Sequence, residues 1–249
     1  MGSMTGIRIS ARHAGGNIRV LAEEGSAVHV EQDLRDTADW RFYWNFRVDA
    51  ERAQTVEFVF RNDDVVGPWG PAVSRDGIAW RWLGAASDGA RDRFRYTFAA
   101  GETCYFSFSI PYQLHHFERF YARIGRHPLV RRDVLTVSEQ LRPVPRMRIG
   151  NPEASRHVFM TGRHHACEST ASYVLEGVLE ALLQKEPSPV LNTHLLHVVP
   201  FVDLDGVENG DQGKNRRPHD HNRDYTDAPI YRTTKAIMEE AAGTAPIAA

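Results

Sequence analysis

The chain has 249 residues, 42% of them hydrophobic and 25% charged, a balance that belongs to globular rather than disordered proteins. Basic and acidic side chains number 30 and 32, for a formal charge of −2, so no global field draws in nucleic acid or an anionic membrane. No apolar run is long enough to span a bilayer, the N-terminus lacks the apolar core of a secretory signal, and Cys104 and Cys167 make no disulfide framework. A cytoplasmic protein of one large domain or two ordinary ones is therefore expected. Met1-Gly2-Ser3-Met4 reads as a cloning remnant ahead of a natural start at Met4.

Up to Tyr112 the pattern has period two. Trp40, Phe42, Trp44, Phe46 and Val48 alternate with Arg41, Tyr43, Asn45 and Arg47, as a half-buried strand should. Val56, Phe58 and Phe60 repeat the pattern, as do Phe94, Tyr96 and Phe98, and then Phe106, Phe108 and Ile110. Turn clusters punctuate them at Arg61-Asn62-Asp63-Asp64, Gly67-Pro68-Trp69-Gly70-Pro71 and Ala99-Ala100-Gly101. Short strands so separated predict an antiparallel β-sandwich over residues 1–112. Aromatics at strict alternation usually form a core, which outweighs a sugar-binding platform; Trp69, between glycine and proline, is the one to check for exposure.

From residue 113 the period changes, and residues 113–249 read as an α/β domain. Gln113 to Ile124 is expected to be helical, with Leu114, Phe117, Phe120 and Tyr121 on one face. His157 to Thr161 reads as a buried strand. Val174, Leu175, Val178, Leu179 and Leu182 then follow the i, i+3, i+4, i+7 rule of an amphipathic helix, and Leu195 to Val202 is a second buried strand. Strand, helix, strand is a βαβ unit with parallel strands. His194 and His197, three apart on a strand, point to opposite faces and read as structural; Arg131-Arg132 and Arg146-Arg148 read as solvated strand edges.

Ligands of open α/β sheets bind outside the carboxyl ends of the parallel strands. The segment Arg163-His164-His165-Ala166-Cys167-Glu168 leaves the first such end, and the loop Asp203 to Tyr225 leaves the second. His165 and Glu168 place an imidazole and a carboxylate three residues apart, able to hold one zinc ion with other coordination positions open. Glu168 sits in the first turn of its helix, where the dipole favours the ionised carboxylate. In the loop, a calcium site fails because Gly206 comes too early for EF-hand spacing. Lys214, Arg216, Arg217 and Arg223 suit a carboxylate instead. Cys167 beside His165 invites a thiol nucleophile, but a small residue behind the metal is the stronger reading.

At these residues the chain resembles the M14 zinc carboxypeptidases, in particular the branch of cytosolic carboxypeptidases and their bacterial relatives. Residues 163–168 match that branch's Arg-x-His-Pro-Gly-Glu-like segment, with Ala166 and Cys167 in place of Pro-Gly. Val199-Pro200 and Asp203-Leu204-Asp205-Gly206-Val207 match its Val-Pro strand end and Asn-Pro-Asp-Gly-Val-like turn, and Asp220-His221-Asn222-Arg223 its Asp-x-Asn-Arg segment. Tyr105 to Tyr112 looks like the closing strand of the branch's N-terminal β-domain. The resemblance implies a zinc-dependent hydrolase removing C-terminal amino acids from peptides or proteins. His165 and Glu168 would be two of three zinc ligands, Asn222 and Arg223 would hold the substrate's terminal carboxylate, and Arg216 or Arg217 would polarise the scissile carbonyl.

The family's third ligand, a histidine, and its general-base glutamate come from later strands, and residues 226–249 contain no histidine. The resemblance thus predicts an incomplete mixed-sheet domain, inactive at this length, with an uncovered sheet edge prone to self-association. His219 or His221 folding back would be the substitute ligand. The second reading, from a different class, is a non-catalytic protein that binds an acidic or carboxylate-bearing partner.

Overall fold

The computed structural model describes residues 6–39, 42–86 and 88–244. They divide into two compact units, Met1–Pro111 with Glu208–Gln212 and Tyr112–Val207 with Gly213–Ala249.

The first unit is a β-sandwich. One sheet runs β1 (Ile7–Ser10), β4 (Asn45–Ala50), β9 (Thr103–Ser107), β6 (Ala72–Ser74) and β7 (Arg81–Trp82); the other runs β2 (Arg19–Glu24), β3 (Ala27–Glu31), β5 (Gln54–Phe60) and β8 (Arg93–Phe98). All pairings are antiparallel except β3 with β5, which is parallel. Alternation places Phe46, Phe58, Phe94 and Phe106 inside, with ring centroids 5.0 to 5.2 Å apart along the chain of contacts Phe46–Phe58–Phe94–Phe106. Each such ring contributes roughly 1.5–3 kcal/mol by leaving water. Trp44 is fully buried and donates its indole N–H to the Val65 carbonyl at 2.7 Å.

The expected strand at Trp40–Val48 is shorter, beginning at Asn45; Trp40 and Arg41, like Met1–Met4, lie outside the described residues. Tyr43, expected on the polar face, is buried. Its backbone N–H donates to Gln212 Oε1 (3.0 Å), and its carbonyl accepts from Gln212 Nε2 (2.7 Å). A polar side chain thus serves both backbone groups of the residue that leads into β4. Trp69 is 69% exposed and takes no part in the core.

The second unit holds one mixed sheet in the order β10 (Val130–Val137), β11 (Pro143–Gly150), β13 (His194–Val199), β12 (Arg156–Thr161). β12 and β13 are parallel, with Phe159 opposite His197, and the remaining pairs are antiparallel. Helix α1 (Leu114–Ile124) buries Phe117 and Phe120, as its apolar spacing predicts. Helix α2 (Thr170–Leu182) crosses from β12 towards β13. Its stripe is narrower than its sequence suggests. Leu175, Leu179 and Leu182 pack into the core, whereas Val174 and Val178 are exposed. A short helix, α3 (Val190–Thr193), precedes β13. Helix α4 (Leu204–Asn209) lies at the start of the long loop, and α5 (Arg232–Gly243) follows it. No helix among the described residues is long and apolar enough to cross a membrane.

His197 is buried, as a structural histidine should be; it stacks on Phe159 and meets His157 Nδ1 at 2.9 Å. Arg146 is buried too, paired with Asp133 and Glu240, which corrects its reading as a solvated edge.

Candidate metal centre and its flanking loop

The two segments leaving β12 and β13 are sewn together first. Gly162 donates to Val199, Val202 to Gly162, and Asp203 to Arg163, all through backbone at 2.9–3.0 Å. Arg163 is buried with a positive φ of 59°. Its guanidinium turns inward and donates to the carbonyls of Ala166 and Tyr112, so the chain must wrap around it, and that wrap presents the next two side chains.

His165 Nδ1 then lies 3.0 Å from Glu168 Oε1. On the ring's other side, His165 Nε2 lies 3.2 Å from Asp220 Oδ2. A histidine whose far nitrogen donates to a carboxylate is held in the tautomer and orientation a metal needs at the near one. Asp220 is itself fixed, because its Oδ1 accepts from the Arg216 backbone N–H at 2.9 Å. The donor set, one imidazole nitrogen and one carboxylate oxygen converging with an orienting carboxylate behind, fits two of the protein positions of a zinc site. In the sequence Asp220 stands out only as part of the Asp-x-Asn-Arg-like segment. The signal that singles it out is the need for an acceptor behind a histidine whose other ring nitrogen faces a carboxylate.

The loop reaches this point by two anchors. Asp220 meets His165, and Tyr225 Oη meets His164 Nε2 at 2.8 Å. Between the anchors, a 3-10 turn (His221–Arg223) carries Asn222 and Arg223, both exposed. Close approach is possible because Gly213 has no side chain: its φ is +75°, and a Cβ there would stand 2.3 Å from the Ala166 nitrogen. On the turn's far side, Asp224 is completely buried and its carboxylate accepts from four donors: His219 Nε2 (2.6 Å), the Ile230 and Tyr231 N–H groups (2.9 Å each), and the Thr234 hydroxyl. Those bonds hold its carboxyl below the ordinary range against the opposing effect of burial.

The remaining sequence candidates fall as follows. Arg216 is mostly buried, its Nη1 2.9 Å from Asp203 Oδ1. Arg217 is exposed and precedes the cis bond to Pro218. His219 is turned onto Asp224. His221 stacks on Tyr231 with centroids 3.7 Å apart, and burial together with Arg216 pushes it down to about 4. Neither replaces a ligand; among the described residues no group of three His, Cys, Asp or Glu side chains is arranged around one ion. Cys167 is buried and its thiol is pushed up to about 12, chiefly by desolvation, which leaves no thiolate for the nucleophile reading.

An imidazole–carboxylate pair at the carboxyl edge of a mixed α/β sheet, beside a loop bearing arginines, is the pattern of the metallo-carboxypeptidase class. The fold agrees. The chain superposes on a metallo-carboxypeptidase from Burkholderia cenocepacia with a TM-score of 0.79 at 19% identity, over 95% of this chain and 67% of that one. A Pseudomonas aeruginosa metallo-carboxypeptidase solved with (2-guanidinoethylmercapto)succinic acid gives 0.77 at 20% identity, over 94% and 66%. The family model for zinc carboxypeptidases, Peptidase M14, matches residues 122–246, and the chain belongs to that family. It is 24% identical over 240 residues to an uncharacterised protein of Zymomonas mobilis, and 26% identical over 139 residues to cytosolic carboxypeptidase 6 of Caenorhabditis elegans. The matches cover 93% and 52% of this chain, but 62% and 30% of those proteins' own lengths.

Proposed function

We propose that the protein is a zinc-dependent carboxypeptidase that removes C-terminal amino acids from peptides or proteins in the cytoplasm. His165 and Glu168 hold the zinc, which when bound polarises a carbonyl and lowers the pKa of water. Asp220 keeps the His165 ring oriented. Asn222 and Arg223, offered at the tip of the anchored turn, take the substrate's terminal carboxylate, the guanidinium in a bidentate pair. The carbonyl-polarising role falls to Arg216 or Arg217. Arg216 is already engaged by Asp203, and paired substitutions to glutamine separate the two by which one lowers kcat. The observation that carries this reading is the 3.0 Å convergence of His165 Nδ1 and Glu168 Oε1 with Asp220 behind the ring.

The test is zinc content after dialysis against trace zinc, by mass spectrometry, for the wild type, His165→Ala and Glu168→Ala. About one equivalent in the wild type and a loss of at least tenfold in affinity in each variant are expected, since each removes a direct ligand. Unchanged metal content in both variants would sink the assignment. The lack of a three-ligand group among the described residues favours a second reading, a non-catalytic binder of carboxylate-bearing partners. It expects (2-guanidinoethylmercapto)succinic acid to bind equally well with and without a chelator, whereas the first expects chelation to weaken it.

A further inference from the structure

The solvent face of the first unit's larger sheet carries a groove that the carboxypeptidase reading does not use. Strand register builds it. Arg8 on β1 stands opposite Asp49 on β4, while Arg47 on β4 stands opposite Tyr105 on β9. These side chains alternate with Val48 and Cys104, which face the core, so they share the outer face. The segment following β1 adds Arg12 and His13. Together they line a groove of about 580 Å³, within the range of roughly 300–1,000 Å³ in which ligand sites fall.

Its charge is unbalanced. Three guanidinia face a single carboxylate, Asp49, which accepts from Arg47 Nε and Nη2 (2.9 and 2.6 Å), Arg8 Nη2 (3.1 Å) and the Thr103 hydroxyl (2.7 Å). Asp49 occupies part of two forks and none of the third. The Arg12 guanidinium has no partner among the described residues. His13 adds shape instead of charge. Its ring stands edge-on to Tyr105 at 5.3 Å, its Nε2 meets Asn45 Oδ1 at 3.3 Å, and burial holds it below the ordinary imidazole range. Arg47 lies over the Tyr105 ring, 6.0 Å from its centroid.

We propose that this groove binds an extended acidic peptide segment, with the Arg12 and Arg47 guanidinia taking carboxylates above the Tyr105 floor. Guanidinium forks match carboxylates in bidentate fashion. Here Arg8 and Arg47 meet at Asp49, whereas Arg12 stands two residues beyond Ser10, the register partner of Arg47. An extended peptide repeats its side chains on one face every ~7 Å, which suits separated forks better than a single compact anion does. Asp49 is an internal competitor: it holds Arg47 in place when the groove is empty and contends with the ligand for it.

The test uses the full chain and an octapeptide alternating glutamate with serine, read by isothermal titration at low salt and by amide shifts. Saturable binding is expected, with shifts at Arg8–His13, Arg47–Asp49 and Tyr105. Arg12→Ser and Arg47→Gln are each expected to weaken it about tenfold, the loss of one charge-assisted pair. Asp49→Asn is expected to strengthen it about threefold by removing the competitor. Should Arg47→Gln unfold the unit, Arg12→Ser decides alone, because it sits outside the strands. Equal binding of the glutamine–serine octapeptide, saturation of the same amides by inorganic phosphate alone, or unaltered affinity in Arg12→Ser would each overturn the proposal.

Discussion

The β-sandwich core and the loop from Asp203 to Tyr225 are both densely packed, but by opposite means. Phe46, Phe58, Phe94 and Phe106 hold the first through hydrocarbon contact alone. Asp205, Asp220 and Asp224 hold the second, each carboxylate bonded through both of its oxygens. Asp205, for example, accepts from Ser138 Oγ, the Gln140 N–H and Arg142 Nη1. Apolar contact is non-directional and tolerates small shifts. A fully bonded buried carboxylate fixes direction, and losing one partner leaves the others uncompensated. The loop is therefore the more precise of the two and the more sensitive to pH.

Paired substitutions sharpen this contrast most. Phe58→Ala should cost about 3–5 kcal/mol of stability through its cavity, measured by urea unfolding, while zinc content stays unchanged. Asp224→Asn should cost about 1–3 kcal/mol and should also weaken binding of (2-guanidinoethylmercapto)succinic acid, because the turn bearing Asn222 and Arg223 loses its anchor. Equal effects of the two variants on that ligand would erase the distinction.

Acid is the next lever. Burial pushes His164 and His221 from an ordinary 6.5 down to about 4, so both are neutral when folded and take up protons more readily when unfolded. Their contribution is complete above pH 6.5 and is lost progressively as pH falls towards 4. Asp224, held low, adds a further loss only below about pH 4. Amide exchange should therefore rise in residues 219–231 between pH 6.5 and 4 before it rises in β5 or β8. Simultaneous opening of both regions would contradict the ranking.

The smallest effect concerns the surface of the second unit. Among the described strands β12 pairs only with β13, and Tyr173, Val174 and Val178 of α2 are exposed. We expect two copies to associate through this apolar face. Val178→Lys should shift the population towards monomer in size-exclusion chromatography, with stability changed by no more than about 0.5 kcal/mol. A wild-type chain that stays monomeric at high concentration would remove the expectation.

Much of this was legible in the sequence because hydrocarbon announces itself by period. Phe58 and Phe60, or Phe94 and Phe98, can face only one way on a strand. The approach of His165 to Glu168 was legible for a related reason: their spacing is local and their position at a strand end is determined by the pattern around them. The parallel pairing of β3 with β5 was not, since the five residues Ala27–Glu31 carry no signal for which neighbour they choose. Nor was the outward turn of Val174 and Val178, which depends on how wide a face the sheet presents. The roles of Asp220 and Asp224 escaped for a third reason. A carboxylate in a polar loop looks the same whether it is solvated or buried among four donors, and only the partners' positions, up to 55 residues away for Asp220, tell the two apart.

The clamp of Gln212 on Tyr43 carries a consequence for how the molecule is made. The two residues are 169 positions apart, yet the glutamine amide serves both backbone groups of a residue beside the aromatic core. When Pro111 leaves the ribosome, every strand of the sandwich has been synthesised but this polar pair has not. The N-terminal unit lacks this clamp until another hundred residues have been made. Biogenesis here cannot proceed as one finished module followed by the next.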